Sequence, residues 1–471
     1  MRLNNPFQLS HLAAAALALC SLPAWSAGFA VQETSASGLG NAYAGGAAAA
    51  ADASTVWGNP AGMSRLGSAQ VVGALNVVMP SLRFSNGASQ PAAFQPLGGD
   101  GGNAADTSWI PNLYLTWPLD PQWTLGVGVN APFGAVSDYD AGWIGRFQGL
   151  KTDIKTINVN PAVSWKPMDN LALGLGLNVQ RIDATFTSNS NYAGAYMAAA
   201  QRSGLFTPTE LGQLALATTG LQTNTTLSGD DYGWGWNIGV LFDLTPTQRI
   251  GAHYRSAIDY KVSGSVTFAN PTLPALPADI AARAGAVAAG LNGALSNSGV
   301  NSDIKLPEIV NLSYFGSFDG RWELMADLQY TGWSSIQDLV FVRSDGSPLQ
   351  STAENFRNTW RVAVGGNYRL DDRWLLRAGV AWDQTPVRDG FRTVRLPDGD
   401  RTWLAGGARY MLEKNLWLDF GAAYVWVAGS TINEIGSSNL GQPPSQAASG
   451  LVNGSYSAHS VILSGQLTWA F

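Results

Sequence analysis

The strongest constraint in this chain is a repeated alternation of apolar and polar residues, with aromatic residues at both ends of the apolar face. Trp374, Leu376, Val380 and Trp382 share one face of an extended segment, and Arg377 lies on the other. A soluble two-sided sheet can also alternate, but it would not place Trp or Tyr at both ends of its apolar face. The pattern therefore predicts membrane-crossing strands that end in aromatic girdles. It recurs in three further segments: 322–330, 360–370 and 461–471.

Composition narrows the membrane architecture to one class. Only 13% of the 471 residues are charged, against about 25% in an ordinary soluble domain. The 18 Trp, 17 Phe and 14 Tyr exclude a disordered chain. Beyond the N-terminus, the most helix-like apolar stretch, 275–295, is broken by Asp279 and Arg283, so no spanning helix is expected. A closed β-barrel is the remaining way to satisfy every backbone group inside a bilayer.

Strand counting predicts an all-β fold, a 14-stranded antiparallel transmembrane β-barrel. Short and long connections alternate along the chain, as periplasmic turns and external loops do in such barrels. An even number of strands places both ends of the barrel on the periplasmic side. The predicted strands are 68–79, 108–117, 122–131, 152–166, 169–187, 231–244, 248–268, 304–318, 321–343, 356–370, 373–384, 401–411, 415–427 and 457–471.

The first 26 residues have the organisation of a secretory signal peptide. Arg2 supplies the positive end, 12–19 is apolar, and Ala24 and Ser26 are the small residues of a cleavage site. A membrane anchor is the alternative, but the apolar stretch is too short for one. Cys20 is the only cysteine, so a chain cut after Ser26 has no thiol and no disulfide.

Residues 27–67 precede the first strand of the 68–471 barrel and are rich in Ala and Gly. Small residues pack closely in a confined lumen, and Phe29, Tyr43 and Trp57 would be costly to leave in water. We therefore expect this segment to fill the barrel as a hatch, and the alternative is a loose periplasmic tail.

Several motifs, in order along nearly the whole chain, resemble the FadL family of outer-membrane long-chain fatty-acid transporters. The resemblance implies fourteen strands, an N-terminal hatch, and sideways release of hydrophobic ligands into the bilayer. The motifs are Ala27-Gly28-Phe29, Ser37-Gly38-Leu39-Gly40 with Ala42-Tyr43, Asn59-Pro60-Ala61, Trp234-Gly235-Trp236-Asn237, Tyr254-Arg255-Ser256, Leu306-Pro307-Glu308, Tyr330-Thr331-Gly332-Trp333 and Asp400-Arg401-Thr402-Trp403.

The resemblance also implies a hatch–kink gate, in which the Asn-Pro-Ala motif contacts an inward kink of the third strand. The residue types suit a kink independently, because Pro cannot donate to a strand ladder and Gly marks a bulge. The expected gate residues are Asn59, Pro60, Ala61, Ala131, Pro132, Phe133 and Gly134.

Ligand-binding residues are less well defined by the motifs. The family positions that carry basic carboxylate partners fall on Ser188 and Val340, and Arg181 and Arg343 lie nearby. We expect Phe29, Arg181 and Arg343 to bind ligand, with a weak head-group contact. The alternative is that the two arginines are ordinary lumen or rim charges.

The predicted function is passive outer-membrane transport of hydrophobic small molecules, with long-chain fatty acids as the leading ligand. Aromatic hydrocarbons, oxygenated fatty acids and a general diffusion porin are alternatives. Apolar helices expected at 278–291 and 193–216 would cap the barrel or hold ligand. The expected partners are outer-membrane lipids, lipopolysaccharide and the barrel assembly machinery of a Gram-negative cell. We expect a monomer without cofactor, metal, nucleic acid or enzymatic activity. A barrel lipase using His459 is an unfavoured alternative.

Overall fold

The computed structural model of the protein describes residues 28–471. The predicted signal peptide, with its cleavage site and Cys20, lies outside the described residues. Within 28–471, no helix is both long enough and apolar enough to cross a membrane.

The described chain forms a closed antiparallel barrel of fourteen strands, which confirms the predicted fold class. The barrel closes where the first strand pairs with the last, from Gln70 opposite Ala470 to Asn86 opposite Gly454. Its strand segments are β1 Gln70–Asn86, β2 Ser108–Pro118, β3 Trp123–Asn130, β4 Gly134–Asp138, β5 Lys151–Met168, β6 Leu171–Ser190, β7 Thr223–Thr245, β8 Gln248–Arg255, β9 Ile258–Ala269, β10 Ser298–Leu306, β11 Ile309–Phe318, β12 Trp322–Thr331, β13 Asp338–Arg343, β14 Pro348–Ala353, β15 Thr359–Arg369, β16 Trp374–Asp383, β17 Arg401–Glu413, β18 Leu416–Glu434, β19 Ser438–Asn439 and β20 Val452–Ala470.

Five of the fourteen strands are interrupted. They are β3 with β4, β8 with β9, β10 with β11, β12 with β13, and β14 with β15, while β19 is a short addition in the last external loop. The predicted strand 321–343 is thus broken by a 3₁₀ turn at Trp333–Ser335. The strand expected to begin at 231 begins at Thr223, because polar residues continue the ladder above the membrane, where water replaces lipid.

Alternation sorts the wall into two faces. Outward-facing aliphatic residues such as Leu175 and Leu177 are about half exposed, and inward neighbours such as Asn178 and Gln180 are buried. Exposed aromatic residues gather toward both ends of the wall, as the sequence predicts for a membrane barrel. Those near the short turns are Trp117, Trp123, Trp165, Trp322, Trp374, Trp469 and Phe471, and those toward the long loops are Trp109, Trp234, Trp236, Trp360, Trp382 and Trp426.

The N-terminal segment, 28–66, contacts inward-facing side chains from strands all around the barrel. Arginines of the wall donate to its carbonyls: Arg249 to Ala48 and Ala49, Arg255 to Trp57, and Arg361 to Ala42. Acidic and amide groups of the wall bind it too, since Asp327 accepts from Gly46 N–H and Gln466 from Ala36 N–H. The segment contains α1 Ala36–Leu39, α2 Thr55–Gly58 and a 3₁₀ turn at Pro60–Arg65.

Helices lie in three external loops, where apolar helical stretches are predicted for two of the loops. The stretch 193–216 forms two helices rather than one. Gly204 adopts a left-handed conformation with φ of 63° at the end of the first helix, and Thr207 caps the second. The helices are α3 Tyr192–Ser203, α4 Pro208–Thr218, α5 Ala278–Ala294 and α6 Gln446–Ser449, and a third 3₁₀ turn spans Asp389–Phe391.

Candidate functional site

The wall has a break in its ladder between β2 and β4. The lower part of β2 pairs with β3 from Leu113 to Pro118, whereas β4 pairs with β5. Within the described residues, Ser108 to Asn112 of β2 pair with β1 and have no strand partner on the β4 side. The barrel wall therefore has a local lateral gap.

The gap arises from one extra residue at the kink. Asn130 pairs with Asn158 and Gly134 with Lys155, so three residues on the kinked strand face two on β5. This count is that of a β-bulge. Pro132, which has no N–H to give to a ladder, stands in the middle of the three. The kink expected at residues 131–134 is thus where the strand is interrupted.

Residues 29–31 of the N-terminal segment pair with the kink from inside the barrel. Val31 N–H donates to the Pro132 carbonyl, and Gly134 N–H donates to the Phe29 carbonyl, both at 2.8 Å. Ala30 lies opposite Phe133 in an isolated antiparallel bridge. These bonds satisfy part of the backbone that the interrupted ladder leaves free.

The hydrogen bonds of the Asn59 side chain go to the N-terminal segment and to β7 rather than to the kink. The Asn59 side chain donates to the carbonyls of Ala47 and Val240 and accepts from Ala61 N–H. Its position against Gly239 of β7 leaves no room for a Cβ there, because an added Cβ would lie 1.8 Å from Asn59 Oδ1. Asn59, Pro60 and Ala61 therefore fix the base of the N-terminal segment, and residues 29–31 hold the kink instead.

An aromatic cluster surrounds Phe29 next to the kink. The centroid of the Phe29 ring lies 4.8 Å from the ring centroid of Trp333 and 6.0 Å from that of Phe133. Gly28, with φ of 63°, leaves room for Trp333, since a Cβ there would lie 2.9 Å from the indole. The Gly28 N–H donates to Asp398 of an external loop at 2.8 Å.

A cavity of about 660 Å³ opens beside this cluster, and we call it the main cavity. The lining is mostly aliphatic and aromatic, with three polar residues among fourteen. The lining residues are Phe29, Ala135, Thr152, Ile154, Ile182, Ala184, Phe186, Ile304, Ile336, Leu339, Glu354, Phe356, Arg395 and Leu396.

Two ionisable residues, Glu354 and Arg395, give the main cavity one polar side. Burial raises the pKa of Glu354 to about 8, and the Glu434 carboxylate acts in the same direction, while Arg395 opposes it. Burial lowers the pKa of Arg395 to about 10. At neutral pH this side of the cavity therefore offers a guanidinium cation and a mostly protonated carboxyl group.

The two arginines predicted from the motifs lie elsewhere. Arg181 points outward from β6, where it is within 3.6 Å of Asp183 and 3.3 Å of Asp230. Arg343 is buried and donates to the carbonyls of 294 and 296 and to Ser298 Oγ. Neither residue lines the main cavity, whereas Phe29 does.

Sequence reasoning misses Arg395 and Glu354 because both lie in long connections, which the strand pattern predicts to be external loops. Alternation could have excluded Arg181, since it has the same strand parity as the lipid-facing Leu175 and Leu177. No periodic signal marks Arg395, because it enters the lumen from an irregular segment between β16 and β17.

The chain is similar to known outer-membrane proteins over most of its length. Residues 17–471 match the family described as "Outer membrane protein transport protein (OMPP1/FadL/TodX)". The "Long-chain fatty acid transport protein" of Escherichia coli (strain K12) is 31% identical over 431 residues, 89% of this chain and 92% of the relative. "Outer membrane protein P1" of Haemophilus influenzae (strain ATCC 51907 / DSM 11121 / KW20 / Rd) is 31% identical over 433 residues, 88% of this chain and 89% of the relative.

The fold agrees with a solved structure of the same family. The crystal structure of a Pseudomonas aeruginosa FadL homologue superposes with a TM-score of 0.81 at 27% identity, covering 94% of this chain and all of the other. The protein is located in the outer membrane, as its relatives are. With its fourteen-stranded barrel, its interrupted third strand and these similarities, the chain belongs to the FadL family of outer-membrane transport proteins.

Proposed function

We propose that this protein carries long-chain fatty acids across the outer membrane by passive diffusion, with the N-terminal segment acting as a hatch. The ligand lies in the main cavity and leaves sideways through the gap between β2 and β4. One observation carries the proposal: Phe29 lines the main cavity, and its carbonyl accepts the hydrogen bond from the kink at that gap. The name of the E. coli relative supports the choice of ligand class.

The apolar lining supplies the affinity. Each methylene removed from water contributes about 0.8 kcal/mol, so a long acyl chain needs only a well-fitting apolar cavity. The isoleucine-rich wall and the rings of Phe29, Phe186 and Phe356 provide that surface. A wide, charge-lined diffusion pore would not present such a lining.

Arg395 supplies the contact with the carboxylate head group. Its guanidinium lines the cavity together with Glu354 and is partly buried. A guanidinium binds a carboxylate through charge-assisted hydrogen bonds. This assignment replaces Arg181 and Arg343 and gives the protein a stronger head-group contact than the motifs predict.

Sideways release keeps the ligand out of water. A ligand that left through the periplasmic end would lose its burial energy, whereas one that leaves through the wall passes from one apolar phase to another. Residues 29–31 stand between the main cavity and a second internal cavity of about 670 Å³, which Ala30, Val31 and Pro132 line. Movement of this short stretch would open the route toward the gap.

The head-group assignment is tested by replacing Arg395. We expect Arg395→Gln to weaken binding of a fatty acid to purified protein by about 1.5–3 kcal/mol, roughly ten- to 150-fold. Binding of the matching methyl ester should stay unchanged, because the ester carries no charge. Arg181→Gln is the matched control and should bind both ligands normally. An equal loss for acid and ester would mean that Arg395 supports the cavity rather than the carboxylate.

The route is tested by a reversible staple between residues 30 and 133. The Ala30–Phe133 bridge lies between the two hydrogen bonds that flank it, so the two Cα atoms have the close spacing of a non-hydrogen-bonded pair. In the Ala30→Cys/Phe133→Cys variant, fatty-acid uptake by cells should stop under oxidising conditions and return on reduction. A Ser85→Cys/Ser455→Cys staple within the wall should change nothing. Normal uptake by the oxidised kink staple would contradict release past residues 29–31.

A further inference from the structure

A third, smaller cavity adjoins the main cavity on the inner wall, and we call it the side chamber. It is lined by residues of β6, β7, β9, β10 and β13. It shares Ala184, Phe186 and Ile304 with the main cavity. The two spaces are therefore neighbours along one stretch of wall, with common side chains between them.

The side chamber results from two glycines that face each other across neighbouring strands. Ala184 pairs with Gly229, Gly229 with Gly264, and Gly264 with Val300, which forms one row across four strands. An added Cβ at Gly264 would lie 1.9 Å from the Ser228 carbonyl oxygen, and one at Gly229 would lie 2.8 Å from Val262. Only glycine fits at these two positions, and both glycines line the recess.

Two phenylalanines stand at the boundary of the side chamber. The rings of Phe186 and Phe341 meet edge to face at 5.6 Å. Phe186 lines both spaces, whereas Phe341 lines the side chamber alone. On the main-cavity side, the guanidinium carbon of Arg395 lies 5.4 Å from the centroid of the Phe186 ring.

We propose that the side chamber receives the methyl end of the acyl chain and thereby sets the chain length that the protein prefers. This inference rests on the proposed function, in which the carboxylate lies at Arg395. The two ionisable groups, Glu354 and Arg395, line the main cavity, whereas the recess has no ionisable lining residue and its polar ones are Ser228, Asn301 and Ser302. A chain anchored at Arg395 and lying along Phe186 reaches the recess once it is longer than the main cavity accommodates.

The consequence is a dependence of affinity on length that a single substitution can shorten. Each methylene that enters an apolar site improves affinity about fourfold. The Ser302 side chain is buried and lines the recess, so Ser302→Leu should fill it and displace the last methylenes of a long chain. Phe341→Ala should enlarge the recess and favour longer chains.

The experiment measures how tightly saturated fatty acids bind to the purified protein in detergent. The series runs from about 10 to about 20 carbons in steps of about two methylenes. The wild type should gain affinity with length and then level off. Ser302→Leu should level off earlier, with about 50-fold weaker binding of the longest acids and unchanged binding of the shortest. Phe341→Ala should level off later. Ser265→Leu on the outer face of β9 and Val340→Ala on the outer face of β13 are the controls, since both residues are solvent- or lipid-exposed.

The outcomes separate the two proposals. Length profiles of Ser302→Leu and Phe341→Ala that coincide with the wild-type profile would overturn the side-chamber assignment while leaving the proposed function intact. An equal loss of affinity at every length in both variants would also overturn it, because a general distortion does not act on the chain end. If the wild type binds no acid of any length, the proposed function itself fails.

Discussion

The two sides of the barrel differ sharply in how the wall holds together. On the closing side, all seventeen residues of β1, from Gln70 to Asn86, pair with β20 without interruption. On the kinked side, β2 and β3 pair only from Leu113 to Pro118. The difference shows that the seam between β1 and β20 is a continuous ladder, whereas the pairing between β2 and the kinked strand ends at the kink.

The N-terminal segment follows the same division. On the closing side, buried Asp52 contacts Arg409 at 3.5 Å and accepts from Gln466 at 2.9 Å. On the kinked side, residues 29–31 are bound to the strand by two backbone hydrogen bonds. The closing side therefore anchors the segment through charges, whereas the kinked side binds it through backbone hydrogen bonds.

The largest expected effect comes from making the kinked side resemble the closing side. Deleting Pro132 removes the one extra residue, so that β3 and β4 can pair with β5 in a single register with their faces unchanged. We expect uptake of fatty acid to fall to background while ligand binding and barrel folding persist. Uptake by cells and binding by purified protein check this together. Undiminished uptake in a folded deletion variant would contradict the lateral route.

The next effect weakens the closing side. Arg377 donates to Asp419 at 2.6 Å, and both side chains are almost fully buried. Asp419→Ala leaves Arg377 and Arg409 without their shared partner, which should lower the free energy of unfolding by about 3–5 kcal/mol. Denaturant-induced unfolding in detergent measures this change in the free energy of unfolding. Asp259→Ala, which breaks an exposed pair with Lys305, should cost at most about 1 kcal/mol. Equal effects would mean that the buried cluster is not the anchor.

A smaller effect loosens the kink without closing it. Thr156 Oγ accepts from Phe133 N–H at 2.9 Å and donates to the Phe133 carbonyl at 2.7 Å. Thr156→Val should cost about 1–3 kcal/mol, because it leaves buried backbone groups less satisfied. The loss should appear as faster amide exchange confined to residues 131–134. Thr124→Val, on β3, the regular part of the kinked strand, should leave amide exchange at residues 131–134 unchanged. Faster exchange spread over the whole barrel would argue against a local role.

The smallest effect concerns pH. The pKa of Glu354 is raised to about 8 by burial, so this group is mostly neutral at pH 7 and ionises as the pH rises to 9. Asp338, Glu434 and Arg395 are the other charged groups that act on it. A negative Glu354 repels the ligand carboxylate, so binding should weaken by up to about tenfold between pH 7 and 9, the equivalent of one pKa unit. Glu354→Gln should remove this dependence. If the wild-type affinity stays constant between these two pH values, Glu354 does not lie close to the bound carboxylate.

Much of the barrel could be predicted from the sequence because strand physics is local. Alternation with period two, short turns and aromatic ends predict fourteen strands. The family resemblance implies a kink at 131–134, and the residue types Pro132 and Gly134 suit one. The same parity excludes Arg181 from the lumen once it is applied to Leu175 and Leu177. The exact start of β7 at Thr223 was missed, since a polar strand above the membrane carries no apolar period.

The candidate site was less predictable because its members come from irregular segments far apart in the chain. Phe29, Glu354 and Arg395 share no periodicity, and only the closed barrel brings them around one cavity. Asn59 showed the converse problem. Its motif was recognised, but its partners, Ala47 and Val240, depend on how the whole segment packs.

The sequence by itself determined the class of protein, the number of strands and the faces of each strand. These properties follow from the spacing of side chains along an extended chain in a bilayer. The tertiary structure decided which arginine faces the cavity, which residues of the N-terminal segment bind the kink, and which side chains surround the side chamber. Those properties require contacts between residues separated by hundreds of positions, and no local pattern specifies such contacts.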